Sequence, residues 1–81
     1  MQVSVLFHSY FKDLTGCTRT IEDLPEGSTL RELFEKVLER FPALAKMKKS
    51  TLMAVGIDYQ PQSYVLQEAD EVSLFPPVQG G

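Results

Sequence analysis

Apolar and polar residues alternate at the start of the chain. Val3, Val5 and Phe7 fall on one face of an extended segment, the period-two pattern of a β-strand. Leu6 adds an apolar residue to the other face. Ser9 to Leu14 reads as a short helical turn stopped by Gly16, and Cys17 to Ile21, with Thr18, Arg19 and Thr20, as a second strand at a sheet edge. The period changes after the turn residues Leu24-Pro25-Glu26-Gly27. Leu30, Leu33, Phe34, Val37, Leu38 and Phe41 recur at helical spacing and form one stripe. Thr29 is placed to cap that helix, with Glu32 three residues on to close a capping box. Glu32 and Lys36 are spaced to pair on its wet face. Pro42 disfavours helical geometry at Phe41, so the spacing predicts a helix from about Thr29 to Arg40.

Ala43 to Ser50 reads as a basic connection. Thr51 to Val55 predicts a third strand, Gly56 to Pro61 a turn leading into a short strand, and Leu66 to Asp70 a tight turn. Glu71 to Phe75 predicts a last strand, with Val72 and Leu74 inward. Pro76 and Pro77 end its pairing, because proline has no N–H to donate to a ladder. One amphipathic helix must therefore cover one sheet. The expected fold is an α+β roll with the β-grasp, or ubiquitin-like, arrangement: one main helix packed on a mixed sheet of four to five strands. Residues 1–76 are the expected domain, and residues 77–81 a flexible C-terminal Gly-Gly tail.

At 81 residues there is room for one core. The net charge of −3 disfavours a phosphate backbone, so no nucleic-acid partner is expected. One cysteine and one histidine make neither a disulfide nor a zinc site, and no metal site is expected. No apolar run is long enough to span a membrane. Met1-Gln2-Val3-Ser4 lacks the basic stretch of a secretion signal, so a cytoplasmic location is expected. His8 and Cys17 have no catalytic companions at a recognisable spacing. Lys46, Lys48 and Lys49 read as a solvated loop, and Glu68, Asp70 and Glu71 as an exposed turn. Neither phosphate-binding glycine motif is present.

The end of the chain offers chemistry that the rest does not. Phe75-Pro76-Pro77-Val78 precedes Gln79-Gly80-Gly81. Two prolines extend the backbone as a stiff arm. Glycine lacks a Cβ, so Gly80 and Gly81 fit a channel too narrow for other residues. The Gly81 carboxylate is a poor electrophile until adenylated. Sulfur attack on the adenylate then gives a thiocarboxylate, and amine attack gives an amide. Phe75, Pro76 and Val78 lie beyond the core pattern and form a candidate docking stripe, to which Phe7 is a candidate addition.

Leu74-Phe75-Pro76-Pro77-Val78-Gln79-Gly80-Gly81 resembles the C-terminal signature of the small, sulfur-carrier subunit of molybdopterin synthase. Val5-Leu6-Phe7, Leu14-Thr15-Gly16, Leu24 to Leu30, Met53-Ala54-Val55 and Asp70-Glu71-Val72 resemble other segments of that family. Gly56 stands where the family commonly has Asn, and Ala69 where it commonly has Gly. The resemblance implies a protein that is not an enzyme on its own. A ubiquitin-activating-type enzyme, using ATP and magnesium, adenylates Gly81, and a sulfur donor converts it to a thiocarboxylate. This chain itself binds no cofactor. Pro77, Val78, Gln79 and Gly80 carry Gly81 into the large catalytic subunit, with Phe75, Pro76 and Phe7 as partner contacts. Cyclic pyranopterin monophosphate is converted there to molybdopterin, within a heterotetramer. The alternatives are a carrier for thiamine or tRNA thiolation, a ubiquitin-like modifier, and a β-grasp interaction domain with an inert tail.

Overall fold

The computed structural model describes residues 1–77. Its elements run β1 (Gln2–Phe7), α1 (Phe11–Thr15), β2 (Arg19–Asp23), α2 (Leu30–Arg40), a 3-10 helix at Pro42–Met47, β3 (Leu52–Val55), β4 (Asp58–Tyr59) and β5 (Glu71–Phe75). The five strands form one mixed sheet in the order β2-β1-β5-β3-β4. β1 and β5 are parallel, and every other pairing is antiparallel. This is the expected ubiquitin-like roll. A parallel pair cannot be joined by a tight turn, so the chain between β1 and β5 supplies the helix that crosses the sheet.

Register explains the core. Val5, Val72 and Val55 lie opposite one another across β1, β5 and β3, and Phe7, Leu74 and Met53 form the next row. Residues directly opposite share a face, and all six are buried. Leu30, Leu33, Phe34 and Val37 of α2 complete the core, with Leu38 and Phe41 packed at its margin. Leu44, on the connection read as merely basic, is fully buried. Pro42 starts a 3-10 turn there and drives Leu44 back into the core.

The capping box forms as its spacing predicts. The Glu32 N–H donates to Thr29 Oγ1 at 3.3 Å and the Thr29 N–H to Glu32 Oε1 at 3.0 Å. Two further orphan donors of the helix start reach the 60–66 loop: Leu30 N–H to Tyr64 O at 2.9 Å and Arg31 N–H to Gln62 O at 3.0 Å.

Three local readings are corrected. The second strand begins at Arg19 rather than Cys17, because the Thr15 hydroxyl donates to the Cys17 carbonyl at 3.0 Å and holds Cys17 in the turn after Gly16. The expected Glu32–Lys36 pair does not form. Glu32 is committed to the cap and Lys36 donates to the Asp23 carbonyl, while Arg31 and Glu35 make the exposed i,i+4 pair at 3.5 Å. Phe7, proposed as a docking residue, is a core residue at 2% exposure, edge-on to Phe41 with ring centroids 5.2 Å apart. It shares the buried face with Val3 and Val5 and cannot reach a partner.

Candidate functional site: the open sheet face and the base of the tail

The face opposite α2 is built by the other half of each strand. Arg19, Leu6, Ser73, Ala54 and Tyr59 lie opposite one another in turn across β2, β1, β5, β3 and β4. Phe75 lies opposite Leu52 one step further along. Ala54 and Ser73 are short and lie low in the centre, both buried. Tyr59 at 67% and Leu52 at 38% exposure stand above them, with Leu6 half-buried beside them. The result is a shallow surface, apolar around Leu6, Leu52, Tyr59 and Phe75 and bordered towards β2 by the exposed Arg19–Glu71 ion pair at 3.4 Å, with no helix over it among the described residues.

The tail leaves from the centre of this sheet. β5 is its middle strand and ends at Phe75. Phe75, Pro76 and Pro77 are half-buried, so Phe75 and Pro76 of the stripe expected to be exposed are partly covered, and its third member, Val78, lies outside the described residues. The cover over Phe75 is aromatic. The His8 ring stacks on it at 4.4 Å and 12° between planes, and Tyr59 meets it edge-on at 6.3 Å. His8 extends the alternation of β1 onto the open face, and its N–H donates to the Leu74 carbonyl at 3.2 Å. Its Nε2 is buried and has no hydrogen-bond partner among the described residues. Val78, Gln79, Gly80 and Gly81 lie outside the described residues.

Sequence reasoning missed His8, Leu6, Leu52 and Tyr59 as members of this surface. The signal for two of them was present. Placing Val5 and Phe7 inward puts Leu6 and His8 outward, and placing Val72 and Leu74 inward puts Phe75 with them. Leu52 and Tyr59 needed the cross-strand register. The other candidates remain apart from the surface chemistry. Cys17 is half-buried, with its thiol 3.8 Å from Thr15 Oγ1. Lys46, Lys48 and Lys49 are exposed. Asp70 binds its own loop, accepting from the Gln67 N–H at 2.8 Å and the Tyr64 hydroxyl at 3.1 Å.

Among the described residues there is no pocket, and no three His, Cys, Asp or Glu side chains gather where they could hold a metal ion. No helix is long and apolar enough to cross a membrane. A broad apolar face without a concavity suits a protein surface rather than a small molecule.

A mixed five-stranded sheet crossed by one long helix, with a terminal segment leaving its central strand, defines a ubiquitin-like β-grasp domain. Residues 5–81 match the ThiS family, and the chain belongs to it. It is 30% identical to the human molybdopterin synthase sulfur carrier subunit over 83 aligned residues, covering 99% of this chain and 94% of that one. A solved structure of the putative molybdopterin converting factor subunit 1 from Pyrococcus furiosus superposes with a TM-score of 0.87 at 27% identity, covering 96% of this chain and 99% of that chain. A complex of subunits 1 and 2 of molybdopterin-converting factor from Helicobacter pylori shares the fold, at a TM-score of 0.71 and 23% identity over the whole of both chains.

Proposed function

We propose that this chain is the sulfur-carrying small subunit of a molybdopterin synthase, with Gly81 as its working residue. The observation that carries the reading is the octapeptide sequence Leu74 to Gly81, whose first two residues end the central strand of a fold whose relatives bear that name.

The chemistry follows from the Gly81 carboxylate. An activating enzyme of the ubiquitin-activating type transfers AMP from ATP to it, releasing pyrophosphate. Sulfide supplied by a donor protein attacks the acyl carbon: the C–S bond forms as the C–O bond to the phosphate breaks, AMP leaves, and a thiocarboxylate remains. ATP and magnesium are bound by the activating enzyme, since this sequence has neither glycine-rich phosphate motif. The tail, Pro77 to Gly80, then carries the sulfur into the active site of a large subunit. Residues of that subunit direct two such transfers, converting cyclic pyranopterin monophosphate to molybdopterin. Phe75 and Pro76 sit at the lip of the entry, and the open face of Leu6, Leu52 and Tyr59 supplies the docking area. The H. pylori complex of subunits 1 and 2 supports a partner of this kind. A heterotetramer in the cytoplasm is the assembly this reading implies. The chain lowers no barrier alone; it delivers a reactant in a fixed orientation.

The direct test is intact-mass spectrometry after incubation with an activating enzyme, ATP and a sulfide source. An oxygen-for-sulfur exchange mapped to Gly81 is expected. Blocking the end with one added alanine is expected to abolish both that exchange and cofactor production in cells. Unimpaired production with the blocked end would overturn the reading.

A further inference from the structure

The His8–Phe75 stack is not explained by delivery of sulfur alone. His8 is the first residue after β1, tied by its N–H to the Leu74 carbonyl. Phe75 is the last residue of β5 and the residue before the two prolines. The two rings are nearly parallel at 4.4 Å, and Tyr59 closes on Phe75 edge-on from β4. Nε2 of His8 is buried and bonds to nothing among the described residues, so no hydrogen bond to that nitrogen orients the ring. What the ring does here is stack.

We propose that His8 is a positioning residue for the tail. By lying flat on Phe75 it fixes that side chain against the sheet and thereby sets the direction in which Pro76 and Pro77 leave β5. The physical reason is leverage. Proline has its φ fixed by its ring, so a change in orientation at Phe75 is transmitted through Pro76 and Pro77 rather than absorbed by them. Four residues separate Pro77 from the end of the chain. A small rotation at the strand end therefore redirects the Pro76-Pro77 segment, and misplacement of about 1 Å at a reacting group is enough to cost about a hundredfold in rate. The clamp draws one ring from each of three strand ends or edges that are far apart in sequence: His8 after β1, Tyr59 in β4 and Phe75 in β5. The folded sheet thus sets the direction in which the chain leaves β5, and Pro76 and Pro77 carry that direction onward. The inference concerns how the tail is aimed, and its consequence for sulfur transfer rests on the function proposed above.

Two variants separate stacking from other roles. His8→Phe keeps a flat ring and removes the nitrogens; His8→Ala removes the ring. The first measurement needs no activity. A spin label is placed at Gln79→Cys in a Cys17→Ser background, and the broadening of sheet resonances is mapped by NMR in the free protein. With His8 or Phe at position 8 the broadening is expected on the same set of sheet residues. With His8→Ala it is expected to spread, while resonances of the α2 core stay in place. An unchanged map in His8→Ala overturns the inference, whatever the tail is for. The second measurement is single-turnover sulfur transfer to the large subunit from loaded chains. His8→Ala is expected to lower the rate at saturating partner by tenfold or more and to change the affinity for the partner by less than the twofold to tenfold that an aromatic pair carries. His8→Phe is expected to recover most of the rate. Equal loss in both variants, or a loss confined to affinity, overturns positioning by the stack. Failure of the wild-type chain to transfer sulfur would count against the proposed function and leave the NMR result to decide this inference.

Discussion

Ala69 has φ of 71° in the turn before β5, and Gly56 has φ of 63° in the turn after β3. Both are in the left-handed region, where a Cβ is strained and Gly or Asn is favoured. The two positions at which this sequence departs from the resembled family are thus two places where backbone geometry restricts the choice. Asn and Gly are both at home at position 56, so that departure changes little. Alanine at 69 is the unfavourable member of its pair. Replacing Ala69 by Gly is expected to raise stability by about 0.5–1 kcal/mol, the relief of left-handed strain less the entropy glycine adds to the unfolded chain. Urea unfolding checks it, and a lowered midpoint would show that the turn does not demand this φ. Phe7 is the residue at which sequence reading failed. Its place in an alternating apolar run already put it with Val3 and Val5, and the register with Leu74 buries it.

Among the elements, α2 carries the contrast between strong and weak charge pairs. Arg40 in its last turn meets Glu22 of β2 through two contacts, Nε to Oε2 at 2.8 Å and the second guanidinium nitrogen to Oε1 at 3.1 Å. Glu22 is fully buried on the helix side of the sheet, with the Thr20 hydroxyl donating at 3.2 Å. Arg31 and Glu35 are both exposed. Arg40→Ala leaves a buried carboxylate with one hydroxyl donor and is expected to cost about 3 kcal/mol. Arg31→Ala is expected to cost under about 0.5 kcal/mol. Denaturant melts of the two variants side by side check the ordering, and equal losses would mean that water reaches Glu22. Thr29→Ala is expected to cost about 1 kcal/mol by opening the capping box. The sequence marked that cap by spacing alone, since both of its members lie within one turn. It could not mark the Glu22–Arg40 pair, whose members are eighteen residues apart and meet only when the helix crosses the sheet.

At the scale of the whole molecule, the sheet separates two jobs. One face is buried under α2 and makes the fold stable; the other is uncovered among the described residues, apolar around Leu6, Leu52, Tyr59 and Phe75, and leads to Pro76 and Pro77. Leu52 sits on the uncovered face opposite Phe75. Leu52→Glu is expected to leave the folded state within about 0.5 kcal/mol of wild type, as surface changes usually do. The same change is expected to weaken binding to the large subunit at least tenfold, by burying a charge in the docked face. Calorimetric titration of the two subunits checks this; wild-type affinity would place the docking surface elsewhere.

The sequence by itself determined the main helix with its N-terminal cap, the approximate course of the strands, the end of β5 at proline and the chemistry open to a terminal glycine. Each of these is local, set by residues within one or two turns of each other. Tertiary structure alone decided which strands neighbour, that Glu22 is buried with a partner, and that His8, Tyr59 and Phe75 close around the base of the tail. Those facts depend on register between strands distant in sequence, and local pattern carries no record of which residue a strand will find beside it.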